Sequence, residues 1–140
     1  MKTCIACNLS KTTDSFVAHA GTADGVANQC RECANLKDKL YRKTKKGLIS
    51  RIYGEQKKRS KRRGHAPPSY TCDELRWWML GQVLFKELFE AWELSGYAKN
   101  LVPSIDRIDS TKGYDFSNIQ VMTWEENNFK GRKERKRYKK

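Results

Sequence analysis

Two sets of side chains in this sequence have the types and spacing that chemistry requires. The first is Cys4-x-x-Cys7 with Cys30-x-x-Cys33, two pairs separated by 22 residues. Each pair can turn two thiolates onto one ion, and two such turns complete a closed tetrahedral site of four sulfurs, the donor set zinc prefers. With no coordination position left open, the predicted zinc is structural. It replaces the core that residues 1–35, with turn formers such as Gly21, Asp24 and Gly25, cannot build. A redox role for the pairs is the alternative, but no βαβ pattern surrounds them. Cys72 is left over and reads as a packed thiol, and His19 falls inside the ribbon with no assigned role. The second set lies at the other end: Asp106, Asp109, Asn118, Asn127 and Lys130. Any one Asp or Asn at a strand end is an ordinary turn former, so the joint spacing ahead of a basic helix carries the signal.

These residues need elements to hold them. Three segments can be distinguished: a zinc ribbon over 1–35, a basic helical linker over 36–63, and a C-terminal module over 64–140. In the linker, Leu36, Leu40, Tyr41, Leu48, Ile52 and Tyr53 form a broken apolar stripe, with Gly47 and Gly54 marking places for a bend or for two shorter helices. Gly64, Pro67 and Pro68 end it. Thr71 to Glu74 then reads as a capping box opening a Trp- and Leu-rich helix, broken near Gly81 and stopped at Gly96, whose aromatic residues supply the core of the third segment. From Pro103 the period changes. Ser104 to Ile108 alternates as a strand, Asp109 to Asn118 is a polar loop around Gly113, and Ile119 to Thr123 is a second strand. A second capping box, Thr123 to Glu126, opens the terminal helix. The fold class expected is α+β.

Charge is distributed unevenly over these segments. The chain has 29 Lys and Arg against 16 Asp and Glu, a net charge of +13, which makes a polyanion the first partner to consider. Residues 37–63 carry 13 of the cations and residues 130–140 another 8, whereas residues 64–129 hold five basic against ten acidic side chains. A protein that holds a divalent cation beside a phosphodiester needs both surfaces: carboxylates for the ion, Lys and Arg for the phosphates. No apolar stretch approaches the roughly 20 residues of a membrane span. Met1 to Ala6 runs straight into a cysteine motif, so no signal peptide is expected, and paired cysteines that bind metal fit a reducing, cytoplasmic compartment.

Residues 104–130, with Asp106-Arg107-Ile108-Asp109, Lys112-Gly113-Tyr114, Ser117-Asn118-Ile119-Gln120 and Asn127-Asn128-Phe129-Lys130, resemble the HNH motif of phage and homing-type endonucleases. The whole chain, with its cysteine pairs and basic middle, is similar to small phage-encoded HNH proteins, which work in the host cytoplasm. The resemblance implies a C-terminal ββα-metal (HNH) module. It puts Asp106 beside the usual catalytic histidine, Asn118 at the central asparagine, Asn127 at the last metal-ligand position and Lys130 three residues beyond. It further implies that Asp106 and Asn127 hold one divalent ion, Mg²⁺ or Mn²⁺, at the leaving 3′ oxygen of double-stranded DNA, while Asn118 braces the loop.

The sequence departs from that pattern where a base is required. Arg107 stands in place of the histidine, and an arginine stays protonated, so it can hold phosphate but cannot accept a proton from water. Asp109, at the position of a later histidine in some ββα-metal proteins, His65 between the basic segment and the core helix, or water activated at the divalent ion remain as bases. Local zinc cysteines near the end of the motif are also missing, with Thr123 and Glu126 in their stead, so packing of Trp124 and Phe129 is expected to hold that end. Two readings follow: a metal-dependent DNA endonuclease, nicking or cutting both strands, or a catalytically inactive zinc-ribbon protein that binds nucleic acid on a surviving HNH scaffold.

Overall fold

The structure, a computed structural model, describes residues 1–138. The chain divides into two compact units, Met1–Thr44 and Lys45–Lys140. The basic segment expected over 36–63 is therefore shared between them. Its helix starts earlier, as α1 (Arg31–Arg42), stops at Lys43 and Thr44, and resumes as α2 (Lys45–Arg63). The break is local: the Lys43 and Thr44 amides turn back to the carbonyls of Leu40 and Tyr41, and the Thr44 hydroxyl donates to the Tyr41 carbonyl at 2.6 Å. Neither Gly47 nor Gly54 breaks α2, and Gly47 is buried within it. The apolar stripe is two stripes. Leu36, Leu40 and Tyr41 of α1 are exposed, whereas Leu48 and Ile49 of α2 are fully buried and Ile52 and Tyr53 pack beside them.

The first unit consists of two antiparallel strand pairs and α1. β1 (Lys2–Thr3) pairs with β2 (Ser10–Lys11), and β3 (Phe16–Ala18) pairs with β4 (Val26–Cys30) across a register shift between Phe16 and Ala18. Its core is Cys4, Phe16 and Cys30, with Cys7, Val26 and Cys33 against them. Phe16 is the one large hydrocarbon side chain fully buried there, so the cysteines themselves form most of the interior.

In the second unit α3 (Cys72–Leu80) begins with the expected capping box: the Glu74 amide donates to Thr71 Oγ1 at 3.2 Å and the Thr71 amide to Glu74 Oε1 at 3.1 Å. Gly81 caps its end, α4 (Val83–Leu94) follows, and Gly96 leaves that helix in the left-handed conformation at φ 77°. β5 (Pro103–Arg107) and β6 (Ile119–Thr123) form an antiparallel pair in which Asp106 faces Gln120 and Arg107 faces Ile119. α5 (Trp124–Tyr138) closes the chain, with the Glu126 amide donating to Thr123 Oγ1 and that hydroxyl donating to Glu126 Oε1, both at 3.2 Å. The core joins Leu48 and Ile49 of α2 to Leu75 and Met79 of α3, Phe85, Phe89 and Trp92 of α4, and Ile105, Ile119 and Val121 of the strands. Stripes from three helices thus bury one face of the β5–β6 pair and leave α5 with its polar residues against the strands. No helix among the described residues is long and apolar enough to cross a membrane.

Candidate functional site

The cysteine cluster is assembled by two short local structures. Cys4 leaves β1 and its amide donates to the Leu9 carbonyl, while the Asn8 amide donates back to the Cys4 carbonyl and Asn8 takes a left-handed φ of 60°; this closes a tight turn around Cys7. Cys30 ends β4 and is the N-cap of α1, whose first turn carries Cys33. The four Sγ atoms all lie within 4.8 Å of one another. Four sulfurs at ~2.3 Å from one tetrahedral ion stand about 3.8 Å apart, so small adjustments would seat a metal such as zinc. It is the one such group of His, Cys, Asp or Glu among the described residues, and His19 is not part of it.

Backbone donors have already prepared the site for anionic sulfur. Cys4 Sγ accepts from the amides of Cys30 at 3.3 Å and Ala6 at 3.4 Å. Amide donation from Cys30 first, then Cys7, lowers the Cys4 thiol to about 6 against burial's opposing pull. The Cys33 amide is the largest cause lowering Cys30, whose sulfur also receives Lys11 Nζ at 3.4 Å. Cys33 goes the other way, pushed up to about 12 by its hydrogen bond to Cys30, by burial and by the other sulfurs. Four thiolates cannot share this space without a cation, and a dication resolves the conflict.

The second set of residues is gathered where α5 crosses β5 and β6. Asp106 is buried at 9% exposure, and its Oδ2 accepts from Gln120 Nε2 at 2.9 Å and from Lys130 Nζ at 2.6 Å. The same ammonium donates to the Arg107 carbonyl at 2.8 Å and approaches Glu134 Oε1 at 3.8 Å. Asn127 Nδ2 donates to Ser104 Oγ at 2.9 Å and to the Ile105 carbonyl at 3.3 Å. Asp106 and Asn127 line one depression of about 100 Å³, together with Arg107, Glu134 and, from α2, Arg59 and Arg63. Both partners of Asp106 bond to Oδ2, and Asn127 bonds through its nitrogen, so one oxygen of each carries no protein bond among the described residues.

The other sequence candidates are spread more widely. Arg107 lines the depression, with its guanidinium 5.3 Å from the Tyr114 ring and donating to the Lys112 carbonyl at 3.0 Å. Asn118 is buried beneath the loop: Nδ2 donates to the carbonyls of Asp109 (3.1 Å) and Gly113 (2.9 Å), and Oδ1 accepts from the Asp109 amide at 2.9 Å. Its amide is spent on tying that loop and is not free for substrate. Asp109 is turned into the loop as well. Its Oδ1 accepts from the Thr111 hydroxyl at 2.6 Å and the Thr111 amide at 3.0 Å; these bonds, the hydroxyl's first, hold its carboxyl below the usual range, and it does not line the depression. Both facts weaken it as a base. His65 is half-buried just beyond α2, its amide donating to the Ser60 carbonyl, and it too is absent from the depression's lining.

One packing expectation is corrected. Phe129 is 62% exposed and Trp124 37% exposed, each beneath a lysine (Lys133 at 5.2 Å, Lys99 at 4.9 Å), so they do not form the packing that holds α5. Polar bonds hold it instead: Asn127 to β5, Lys130 to Asp106 and the Arg107 carbonyl, and the Trp124 amide to the Val102 carbonyl at 2.8 Å. Sequence reasoning missed Gln120, Glu134, Arg59 and Arg63. Gln120 had a signal, since pairing the two strands in register sets it opposite Asp106. Glu134, four residues after Lys130 on a helix, had a weaker one.

No known family model matches this chain, and no curated protein or solved structure matches it significantly.

Proposed function

We propose that the second unit is a metal-dependent DNA endonuclease module of the HNH type, and that zinc bound by Cys4, Cys7, Cys30 and Cys33 staples the first. The observation that carries the nuclease reading is the shared depression: a strand carboxylate, Asp106, and a helix amide, Asn127, line one small polar space with arginines on its rim. Asp106 and Asn127 would hold Mg²⁺ or Mn²⁺ through their unbonded oxygens. Such an ion supplies charge stabilisation at the departing oxygen of a phosphodiester. Arg107, Arg59 and Arg63 would hold phosphate oxygens, the task for which a planar, permanently charged fork is suited. Lys130 anchors Asp106 to α5. Among the candidates for a base, Glu134 has the advantage of standing in the depression, whereas Asp109 and His65 do not.

A second reading has its own observation. Lys130 Nζ lies 2.6 Å from the carboxylate an ion would use, and Arg107 stands where a base is expected. Both favour a nucleic-acid-binding module that no longer cleaves. Incubation of the purified protein with supercoiled plasmid DNA in Mg²⁺ or Mn²⁺ separates the two. Nicking that disappears in Asp106→Ala and in Asn127→Ala is the expected result. Nicking indifferent to both substitutions excludes this metal site, and no nicking with either metal supports the binding module.

A further inference from the structure

Beside the depression that holds Asp106, a groove of about 270 Å³ opens between α2 and α5. Arg59, Arg62 and Arg63 enter it from the last turns of α2 and Arg135 from α5, with the amides of Asn127 and Asn128 between them. No carboxylate lines it, and none of the four guanidinium groups has an ion-pair partner among the described residues. Four like charges drawn into one concave surface repel one another, and an anion relieves that repulsion.

Gly131 is the informative residue. It sits inside α5, where glycine is among the poorest helix formers, and a Cβ built on it meets nothing within 4 Å. Packing therefore gives no reason for its lack of a side chain. It lines both the groove and the Asp106 depression, as do Arg59, Arg63 and Asn127, so the two hollows adjoin across these four residues. Four separate cations along the groove match phosphates repeating along a strand better than one small anion. The groove is concave and mostly polar, which does not suit a flat lipid surface.

We infer that the α2–α5 groove seats a nucleic-acid strand by its phosphates, with Arg59, Arg62, Arg63 and Arg135 as charge partners and Gly131 as the point of closest approach. This rests on the nucleic-acid partner proposed above but not on cleavage.

The test is anisotropy of a short labelled DNA duplex with the full-length protein across a salt series. Arg62→Gln with Arg135→Gln should bind about tenfold more weakly and flatten the log–log salt slope by about 1.8, roughly 0.9 for each phosphate no longer neutralised. Gly131→Leu should unfold at the same or a higher temperature yet bind more weakly, a combination that a purely structural glycine would not give. Lys37→Gln with Lys39→Gln on α1, which removes the same charge from the first unit, should change binding less. Absence of nicking by the parent protein while its salt-dependent binding persists is the separate signature of a failed nuclease reading. The inference is overturned if the arginine variant keeps the parental slope or is weakened no more than the lysine control. Unaltered binding by Gly131→Leu overturns it as well. So does displacement of the duplex by inorganic phosphate at matched ionic strength, which defines a small-anion site. Cosedimentation with phosphatidylserine vesicles that the arginine variant loses equally would define a membrane surface instead, and would also overturn it.

Discussion

Removing metal from the four-cysteine cluster should unfold the first unit and spare the second. The expectation follows from what each unit buries. Around the sulfurs of the first unit, Phe16 is fully buried and Val26 half-buried, which contributes on the order of 3–5 kcal/mol. A structural zinc site is worth about 10–16 kcal/mol at neutral pH. The metal term is therefore roughly threefold the hydrocarbon term, and without it too little is left to order residues 1–44. The second unit has a core of its own, from Leu48 on α2 to Val121 on β6, and owes nothing to the cysteines. Two-dimensional amide NMR of the zinc-loaded protein, before and after a chelator, reads the two units separately. Resonances of residues 1–44 should collapse to unfolded positions while those of Leu75, Phe85 and Val121 stay. Cys33→Ser should do the same without chelator. The reasoning fails if the protein purifies without metal and binds none, or if the first unit keeps its dispersion after the metal is gone. pH offers a further check on metal binding: amide donation that lowers Cys4 to about 6 favours its thiolate near neutral pH, whereas Cys33, pushed up to about 12, gives up its proton only to a bound ion. Bound metal needs both as thiolates, so loading should be lost on acidification.

Two further outcomes concern the loop between the last strands. Asn118→Ala removes three hydrogen bonds that tie Asp109 to Gly113, and should destabilise the second unit by about 2–4 kcal/mol, read as a lower chemical-denaturation midpoint with the first unit unaffected; an unchanged midpoint would mean that the loop is held by other bonds. The Ser117 hydroxyl first, then the Ser69 hydroxyl and the Ser117 amide, lower the Asp115 carboxyl to about 2, so its stabilising contribution is full above pH 4 and is lost as pH falls to 2. Asp115→Asn should flatten the acid limb of a stability profile taken between pH 4 and 2, and an acid limb the same as the parent's would refute that assignment.

The polar character of the α5 packing explains why the site needs its ion pair. An amphipathic helix is ordinarily fixed by an apolar face, but α5 is acidic and amide-bearing in its first turns and rich in Arg and Lys from Lys130 onward, and its one phenylalanine faces solvent. Asn127 and Lys130, one turn apart, take over that task by bonding to β5. Of the residues that hold the helix, Asn127 thus lines the depression and Lys130 bonds to the Asp106 carboxylate that lines it. Substitutions there will affect stability and chemistry together, and a nicking assay on Asn127→Ala should be read beside its melting curve.

The sequence by itself determined whatever depends on partners a few residues away. The Cys-x-x-Cys turns, the capping boxes at Thr71 and Thr123, the stop at Gly96 and the alternation of the two strands were all legible, because each is decided within about one turn of chain. Other features were decided only by the tertiary structure. The basic segment is split at Thr44, bringing Arg59 and Arg63 to the rim of the Asp106 depression, more than 40 residues downstream in sequence. The carboxylate of Asp109 is spent on Thr111, and Asp106 is paired with Lys130 rather than left open. A charged side chain has many acceptable partners, and which it takes depends on how separate helices and strands pack. Local propensity carries no record of that choice.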